Sequence, residues 1–412
     1  MKKQLNQTGT NWLNDLFVLA SVFILVLVVV SPDKLNAVGF RLPNQDPEGI
    51  ARGNAFAATA DDPAAIYYNP AGITQLQGQQ ISAGLYVISA DTKFSSSGGT
   101  AKTDSSPQVV PQLYYVNSFT NVPISIGLGI YAPYGLSLDW GNNAPFNSAG
   151  YEGSLIYACF NPVIAWKVTK TFSIAAGATL NYSQASLNSA LPSPPFPTGY
   201  QSRFKGDGWA PGYNLGVLWQ PAPMWSFGLN YHSETEIKYS GHFSENFGGG
   251  ASTASSATIP FPEYIVGGIS FRPTPNWNFE FDLDWTKWDD LKSATFNTTP
   301  FGNQTLTFNY QNSFIYEFGA TRQLGNGYWA SVGYMYSENS SPSQNFVPLI
   351  PDMNLNIGSI GFGHHGQRWD WAAAYHFAYG TRTVSGDTEF SSANGNYHTF
   401  NNAVNLSATL KF

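Results

Sequence analysis

From about residue 80 to the end of the chain, apolar and polar positions alternate with a period of two. Ile124, Ile126, Leu128 and Ile130 are separated by Ser125, Gly127 and Gly129, and Tyr131 closes the run. Trp277, Phe279, Phe281, Leu283 and Trp285 are separated by Asn278, Glu280, Asp282 and Asp284. Successive side chains of a strand point to opposite faces, so each run has one greasy and one polar wall. About fourteen such segments begin near Ile81, Gln112, Ile124, Leu155, Thr171, Gly212, Trp225, Glu263, Trp277, Ser313, Tyr328, Met353, Trp369 and Val404.

The connections carry a second pattern. Short turns at 121–123, 168–170, 220–224, 272–276, 324–327 and 365–368 alternate with longer stretches at 91–110, 134–154, 184–211, 233–262, 287–312, 337–352 and 380–403. Up-and-down strands need this when one rim faces the periplasm and the other the exterior. A soluble sandwich has no reason to show it. The pattern predicts an all-β fold, a transmembrane antiparallel β-barrel of about fourteen strands in an outer membrane of Gram-negative type.

Composition agrees. Only 11% of the 412 residues are charged, against roughly 25% in an ordinary soluble domain, and 16% are aromatic. A mean hydropathy of −0.18 excludes a bundle of apolar helices. The net charge of −7 leaves no basic stripe for nucleic acid. Cys159 is the only cysteine, so it reads as a small packing residue, with no intramolecular disulfide and no cysteine metal cage. Trp219, Trp225, Trp277, Trp285, Trp329 and Trp369 stand at strand ends, as in the aromatic belts of membrane proteins. Val404, Leu406, Ala408, Leu410 and Phe412 alternate to the last residue. Such an ending resembles the signal read by the barrel-assembly machinery, which is an expected partner beside outer-membrane lipid. The barrel is expected to be a monomer without a cofactor.

Ahead of the barrel, Lys2 and Lys3 precede an apolar run from Leu16 to Val30, with Ser31, Pro32 and Ala37 following. Residues 1–37 read as a signal peptide cleaved near Ala37; the alternative is an uncleaved anchor, since the run approaches the ~20 residues that cross a bilayer. Residues 38–79 do not alternate and are rich in alanine and turn formers. They are expected to plug the lumen of a barrel formed by residues 80–412, because a wide barrel without a plug holds an aqueous channel.

These N-terminal residues carry a family resemblance. Gly39-Phe40-Arg41-Leu42, Gly49-Ile50-Ala51-Arg52-Gly53-Asn54-Ala55, Ala60-Asp61-Asp62-Pro63 and Asn69-Pro70-Ala71-Gly72 resemble the opening of the FadL/TodX (OMPP1) family. Further along, Tyr134-Gly135-Leu136, Gly206-Asp207-Gly208-Trp209, Pro275-Asn276-Trp277 and Asp284-Trp285-Thr286-Lys287-Trp288 are similar to family segments in the same order. The resemblance implies passive uptake of long-chain fatty acids, alkanes or aromatic hydrocarbons. It implies capture among extracellular loops, a pocket above the hatch, and sideways exit at a kinked third strand. It places Asn69, Pro70 and Ala71 in the hatch facing that window, and gives Phe40 the part of a stopper that withdraws when ligand enters.

On the residues themselves, loop 184–211 holds Leu191, Phe196, Tyr200, Phe204 and Trp209 around a proline-rich centre. This is either a pre-shaped greasy groove or a loop packed on its neighbours. Arg203 and Lys205, with Arg52 in the hatch, are the cations that could meet a carboxylate head group; each is otherwise a plain surface charge. Pro133 and Gly135 should interrupt the third strand's ladder, because proline lacks the donor. Glu280, Asp282 and Asp284 share one strand face and are expected to line a wet lumen, paired with Lys287 or Arg322. Gly361-Phe362-Gly363-His364-His365-Gly366 fits a phosphate-loop spacing but precedes a turn, not a helix. The adjacent His364 and His365 suit a metal poorly, and no nucleophile motif points to an enzyme. A diffusion porin and a surface adhesin or structural barrel are the competing functions.

Overall fold

The computed structural model describes residues 40–191, 199–246, 252–298 and 302–412. They form one twenty-stranded antiparallel sheet that closes on itself, because β1 (Gly78–Ser96) pairs with β20 (Gly395–Lys411). After β1 come β2 (Gly99–Lys102), β3 (Gln108–Ser118), β4 (Ile124–Tyr131), β5 (Leu136–Asp139), β6 (Glu152–Lys167) and β7 (Phe172–Ala190). Next are β8 (Gln201–Ala222), β9 (Trp225–His232), β10 (Thr235–Glu245), β11 (Ser252–Phe261), β12 (Tyr264–Thr274) and β13 (Trp277–Thr286). The remainder are β14 (Ser293–Thr298), β15 (Gly302–Thr307), β16 (Ser313–Gly325), β17 (Tyr328–Ser337), β18 (Leu355–His365) and β19 (Trp369–Val384). The membrane wall is a closed barrel of fourteen strands. Strands β2, β5, β10, β11, β14 and β15 extend it on the side of the long connections.

The wall obeys the alternation read from the sequence. Ile126, Leu128, Leu215, Leu229, Phe281, Ile360 and Leu406 are exposed, whereas Ser125, Asn214, Asn230, Asp282, Ser359 and Asn405 are buried in the lumen. Of the tryptophans expected in the belt, Trp329 is a correction: it is fully buried on the inner face. Most of the long stretches are also less irregular than expected. The period of two continues in β10, where Ile237 and Tyr239 are buried while Glu236 and Lys238 face out. Beyond the bilayer the outer face meets water, so the phase of polarity reverses: polar outside, greasy inside. A reversed pattern with charges in it reads as a loop.

Residues 40–77 fill the lumen. They include α1 (Pro47–Ala51), α2 (Ala65–Tyr68) and a 3-10 turn at Pro70–Gln75. Asp46 caps α1 by accepting a hydrogen bond from the Glu48 N–H, and Pro47 takes the first helical position. Helices this short do not persist alone in water; the wall holds them. The N–H groups of Phe56 and Ala57 donate to Asp282 Oδ2 at 2.8 and 2.7 Å. Those of Ala58 and Thr59 donate to Glu280 Oε1 at 2.7 and 3.0 Å, and Arg41 pairs with Asp284 at 2.7 Å. The expected pairing of these acids with Lys287 or Arg322 is therefore corrected. Lys287 meets Glu263 and Asp290, and Arg322 lies over Trp277. The hatch backbone also lies directly on the wall: a Cβ at Gly228 would sit 1.9 Å from the Ala57 carbonyl, and one at Gly333 2.0 Å from the Gly53 nitrogen.

Asp282→Ala leaves two buried N–H groups without an acceptor, a loss of roughly 2–6 kcal/mol at about 1–3 each. The substitution should unseat the hatch while leaving the ladder intact. Single-channel recordings in planar bilayers should show open events that are rare in the parent protein, with unchanged heat-modified gel mobility.

Candidate functional site

The third wall strand leaves the sheet where proline and glycine interrupt it. β4 pairs with β3 as far as Leu113–Ile130 and with β6 as far as Tyr131–Cys159. β5 resumes pairing with β6 at Leu136–Leu155, and none of its pairs is with β3. Residues 132–135 are therefore outside the ladder, and the edge of β3 from Gln108 to Gln112 pairs only with β1. The start of the hatch fills the space. Leu42 N–H donates to the Pro133 carbonyl at 2.7 Å, and Gly135 N–H to the Phe40 carbonyl at 2.8 Å. Gln45 Nε2 donates to the Ala132 carbonyl at 2.8 Å, and Gln112 Nε2 to the Asn44 carbonyl at 3.0 Å. Pro133 and Gly135 thus stand at a real gap in the wall.

Directly above lies an apolar chamber of about 660 Å³. Phe40 forms part of its lining, with Leu155, Leu187 and Phe204 from the wall, Leu136, Ile259, Phe296 and Leu306 from the strands that extend it, and Leu291 and Phe308 from their connections. Val347, Leu349 and Ile350 close it from the connection between β17 and β18, which Trp140 Nε1 anchors by donating to the Pro348 carbonyl at 2.9 Å. The Phe40 ring meets Trp288 edge-on at 4.8 Å and Phe261 at 5.6 Å.

Trp288 also lines a second chamber, of about 700 Å³. Here Arg41, Asn44, Glu338, Asp352 and His376 share the walls with Tyr86, Ile88, Ile315, Met335 and Ile357. Arg41 is buried, with Nη1 donating to Asp284 Oδ1 and Thr286 Oγ1, both at 2.7 Å. Its guanidinium lies 3.7 Å above the Tyr264 ring. A smaller space of about 270 Å³ beyond Arg41 is bounded by Asp282, Asp284 and Glu317.

The residues singled out in the sequence fall in several places. Phe40 and Phe204 meet at the apolar chamber. Leu191 and Tyr200 close the β7–β8 connection through the Leu191 N–H and the Tyr200 carbonyl at 2.9 Å. Phe196 lies outside the described residues. Arg203, Lys205 and Trp209 are exposed on the outer face of β8, opposite in phase to Phe204, so they do not line the chamber. Arg52 is buried beside Glu48 at 3.2 Å and lines neither chamber. Asn69 and Pro70 pack on β8, where Asn69 Nδ2 donates to the Val217 carbonyl at 2.9 Å and Gly216 abuts Pro70, and the 3-10 turn they open with Ala71 also lies against β4, β6 and β7. Sequence reasoning missed Arg41, Trp288 and the lid. The apolar run Phe346-Val347-Pro348-Leu349-Ile350 in an otherwise polar connection was the available signal for the lid.

At the opposite end of the hatch, Glu48 Oε2 lies 3.7 Å from His365 Nε2. His365 Nδ1 is 3.6 Å from Asp370, which also holds Lys411 at 2.6 Å. His364 turns instead to the Asn326 carbonyl at 3.1 Å. Among the described residues no cluster of histidine, cysteine and carboxylates could hold a metal ion.

A closed wall, a lumen filled by its own N-terminal segment and a greasy chamber above it define an outer-membrane transport barrel, not an enzyme. The chain belongs to the outer membrane protein transport protein family (OMPP1/FadL/TodX), which matches residues 28–410. It is 23% identical over 374 residues to the long-chain fatty acid transport protein of Salmonella typhi, covering 81% of this chain and 85% of that one. It is 24% identical over 399 residues to a 47 kDa outer membrane protein of Pasteurella multocida, covering 89% of each. Among solved structures, a Pseudomonas aeruginosa FadL homologue superposes with a TM-score of 0.81 at 18% identity, over 91% of this chain and all of the other (100%). The Pseudomonas putida toluene transporter TodX gives 0.72 at 17% identity, over 93% and 99%. The protein is a transporter of hydrophobic compounds in the Gram-negative outer membrane.

Burial raises the Glu48 carboxyl to about 7, against the opposing pull of His365 and Arg52. The folded hatch then holds a proton that the free side chain gives up near its ordinary value. Seating is tightest in acid and weakens as pH climbs through about 7. Hydrogen exchange of residues 47–54, corrected for intrinsic rates, should be faster at pH 8 than at pH 5.5, and Glu48→Gln should shrink the difference, Asp46, raised by burial to about 6, keeping the remainder.

Proposed function

We propose that hydrophobic molecules are gathered among the extracellular strands and settle in the apolar chamber. They then leave sideways into the membrane through the gap between β3 and the strand beyond Tyr131. The observation that carries this reading is that one short segment serves both places. Phe40 lines the chamber, while Phe40, Leu42 and Gln45 bond the edges of the gap. A cargo that displaces Phe40 therefore pulls on the bonds that fill the window. Burial of about 0.8 kcal/mol per methylene makes the chamber a favourable stop, and a lateral exit spares the cargo a return to water. No energy source is needed. Asn69–Ala71, held against β8, form the fixed end about which the start of the hatch moves. The filled lumen speaks against an open diffusion porin. The last strand, ending at Phe412, is the element offered to the barrel-assembly machinery, and the barrel acts as a monomer.

The antiparallel bridge between Arg41 and Tyr134 allows a direct test. Directly opposed residues in such a pair stand about 4.5–5.5 Å apart at Cα, within disulfide reach. Arg41→Cys with Tyr134→Cys should, when oxidised, abolish uptake of a radiolabelled hydrophobic probe into cells, and reduction should restore it. Undiminished uptake in the oxidised form would rule out the lateral route.

A further inference from the structure

We propose that this channel selects uncharged hydrocarbons and turns carboxylates away; the inference rests on the uptake reading above. Among the described residues lining the apolar chamber, Ser154 and Ser186 supply the only polar side chains, and none is titratable. The connecting residues outside the described set do not supply a hidden counter-charge, since 192–198, 247–251 and 299–301 contain no lysine, arginine or histidine. Of the cations adjacent in sequence to its lining, Arg203 and Lys205 point outward from β8 and Lys292 is exposed, which leaves Arg41. A carboxylate seated here would lose its hydration with no cation and at most two serine hydroxyls to replace it, and a buried charge without a charged partner is strongly disfavoured.

The second chamber does not relieve this. Its one lysine or arginine side chain, Arg41, is already neutralised by Asp284 through two contacts of 2.7 Å. Only its Nε remains without a partner. Glu338 and Asp352 share the walls, and Asp282, Asp284 and Glu317 stand on the far side of Arg41. The acids outnumber the cation, and the buried Asn401 Oδ1 adds another unpartnered acceptor. An anionic head group would find carboxyl groups and no uncommitted cation there, whereas an alkane or arene requires neither. Both ends of the route favour the same class of cargo.

The test is equilibrium binding to the full barrel in nanodiscs, with empty discs subtracted, using matched radiolabelled pairs: toluene against benzoate, and dodecane against dodecanoate. The neutral member of each pair should bind at least ten-fold more tightly at pH 7.5. Asp284→Asn, which frees Arg41, should raise carboxylate binding several-fold over the parent protein. Leu155→Lys, which places an ammonium in the apolar chamber, should raise carboxylate binding several-fold while Asp284 keeps its hold on Arg41. Carboxylate binding within three-fold of the neutral partner would overturn the selectivity while leaving uptake standing. Binding of neither class would remove the uptake reading, and this proposal with it.

Discussion

A bilayer supplies no hydrogen bonds, so every backbone N–H and C=O at membrane depth must find a partner inside the protein. Closing β1 onto β20 meets this demand around nearly the whole wall. The third strand is where it is not met by the ladder. Pro133 has no N–H to give, and residues 132–135 pass out of register with both neighbours. The chain satisfies the freed groups with its own N-terminal segment, through Leu42, Gln45 and the Phe40 carbonyl. A gap that would be intolerable when empty is thus tolerable when occupied, and an occupant held by a handful of bonds can be moved. The same requirement that closes the barrel makes this one place conditional.

The acid column of β13 follows from the same logic. An extended hatch lying on a wall presents consecutive N–H groups with no strand to receive them. Asp282 and Glu280 each accept two, and Asp284 takes the guanidinium of Arg41. Charge-assisted bonds of this kind are roughly twice as strong as neutral ones, which suits a plug that cannot form a core of its own. Inward glycines at 228 and 333 let the backbones approach closely enough for these bonds to form. The hatch is therefore held by these acids along residues 56–59 and at Arg41, beside the gap.

The wall was legible because lipid and water impose opposite demands on alternate residues; Ile126 against Gly127, or Phe281 against Asp282, cannot be read another way. The extracellular half was not, because water bathes its outer face and reverses the phase. Phe204 and Trp209 look like one greasy cluster in the sequence, yet they stand on opposite faces of β8, since an odd spacing along a strand always separates them. Arg203 and Lys205 fall to the outside for the same reason. Arg41 was passed over because a single charge in an apolar segment gives no hint of its partner, and Asp284 lies 243 positions away. Long-range pairs of this kind are set by closure of the barrel, which no local pattern encodes.

What the two chambers share is the Phe40–Trp288 contact, and its chemistry suits the stopper role proposed for Phe40. Edge-on aromatic pairs contribute about 0.5–1.5 kcal/mol beyond their buried area, enough to hold a ring in place but less than the burial of a few methylenes of cargo. A hydrocarbon filling the apolar chamber replaces the contacts that Phe40 makes there with contacts of the same kind, so the exchange is nearly even. A charged head group offers no such exchange. It gives up water and gains no uncommitted cation, since Arg41 is already paired with Asp284. On the proposed route neutral cargo displaces Phe40 where a carboxylate does not, and the proposed discrimination resides in the chamber more than in the ring.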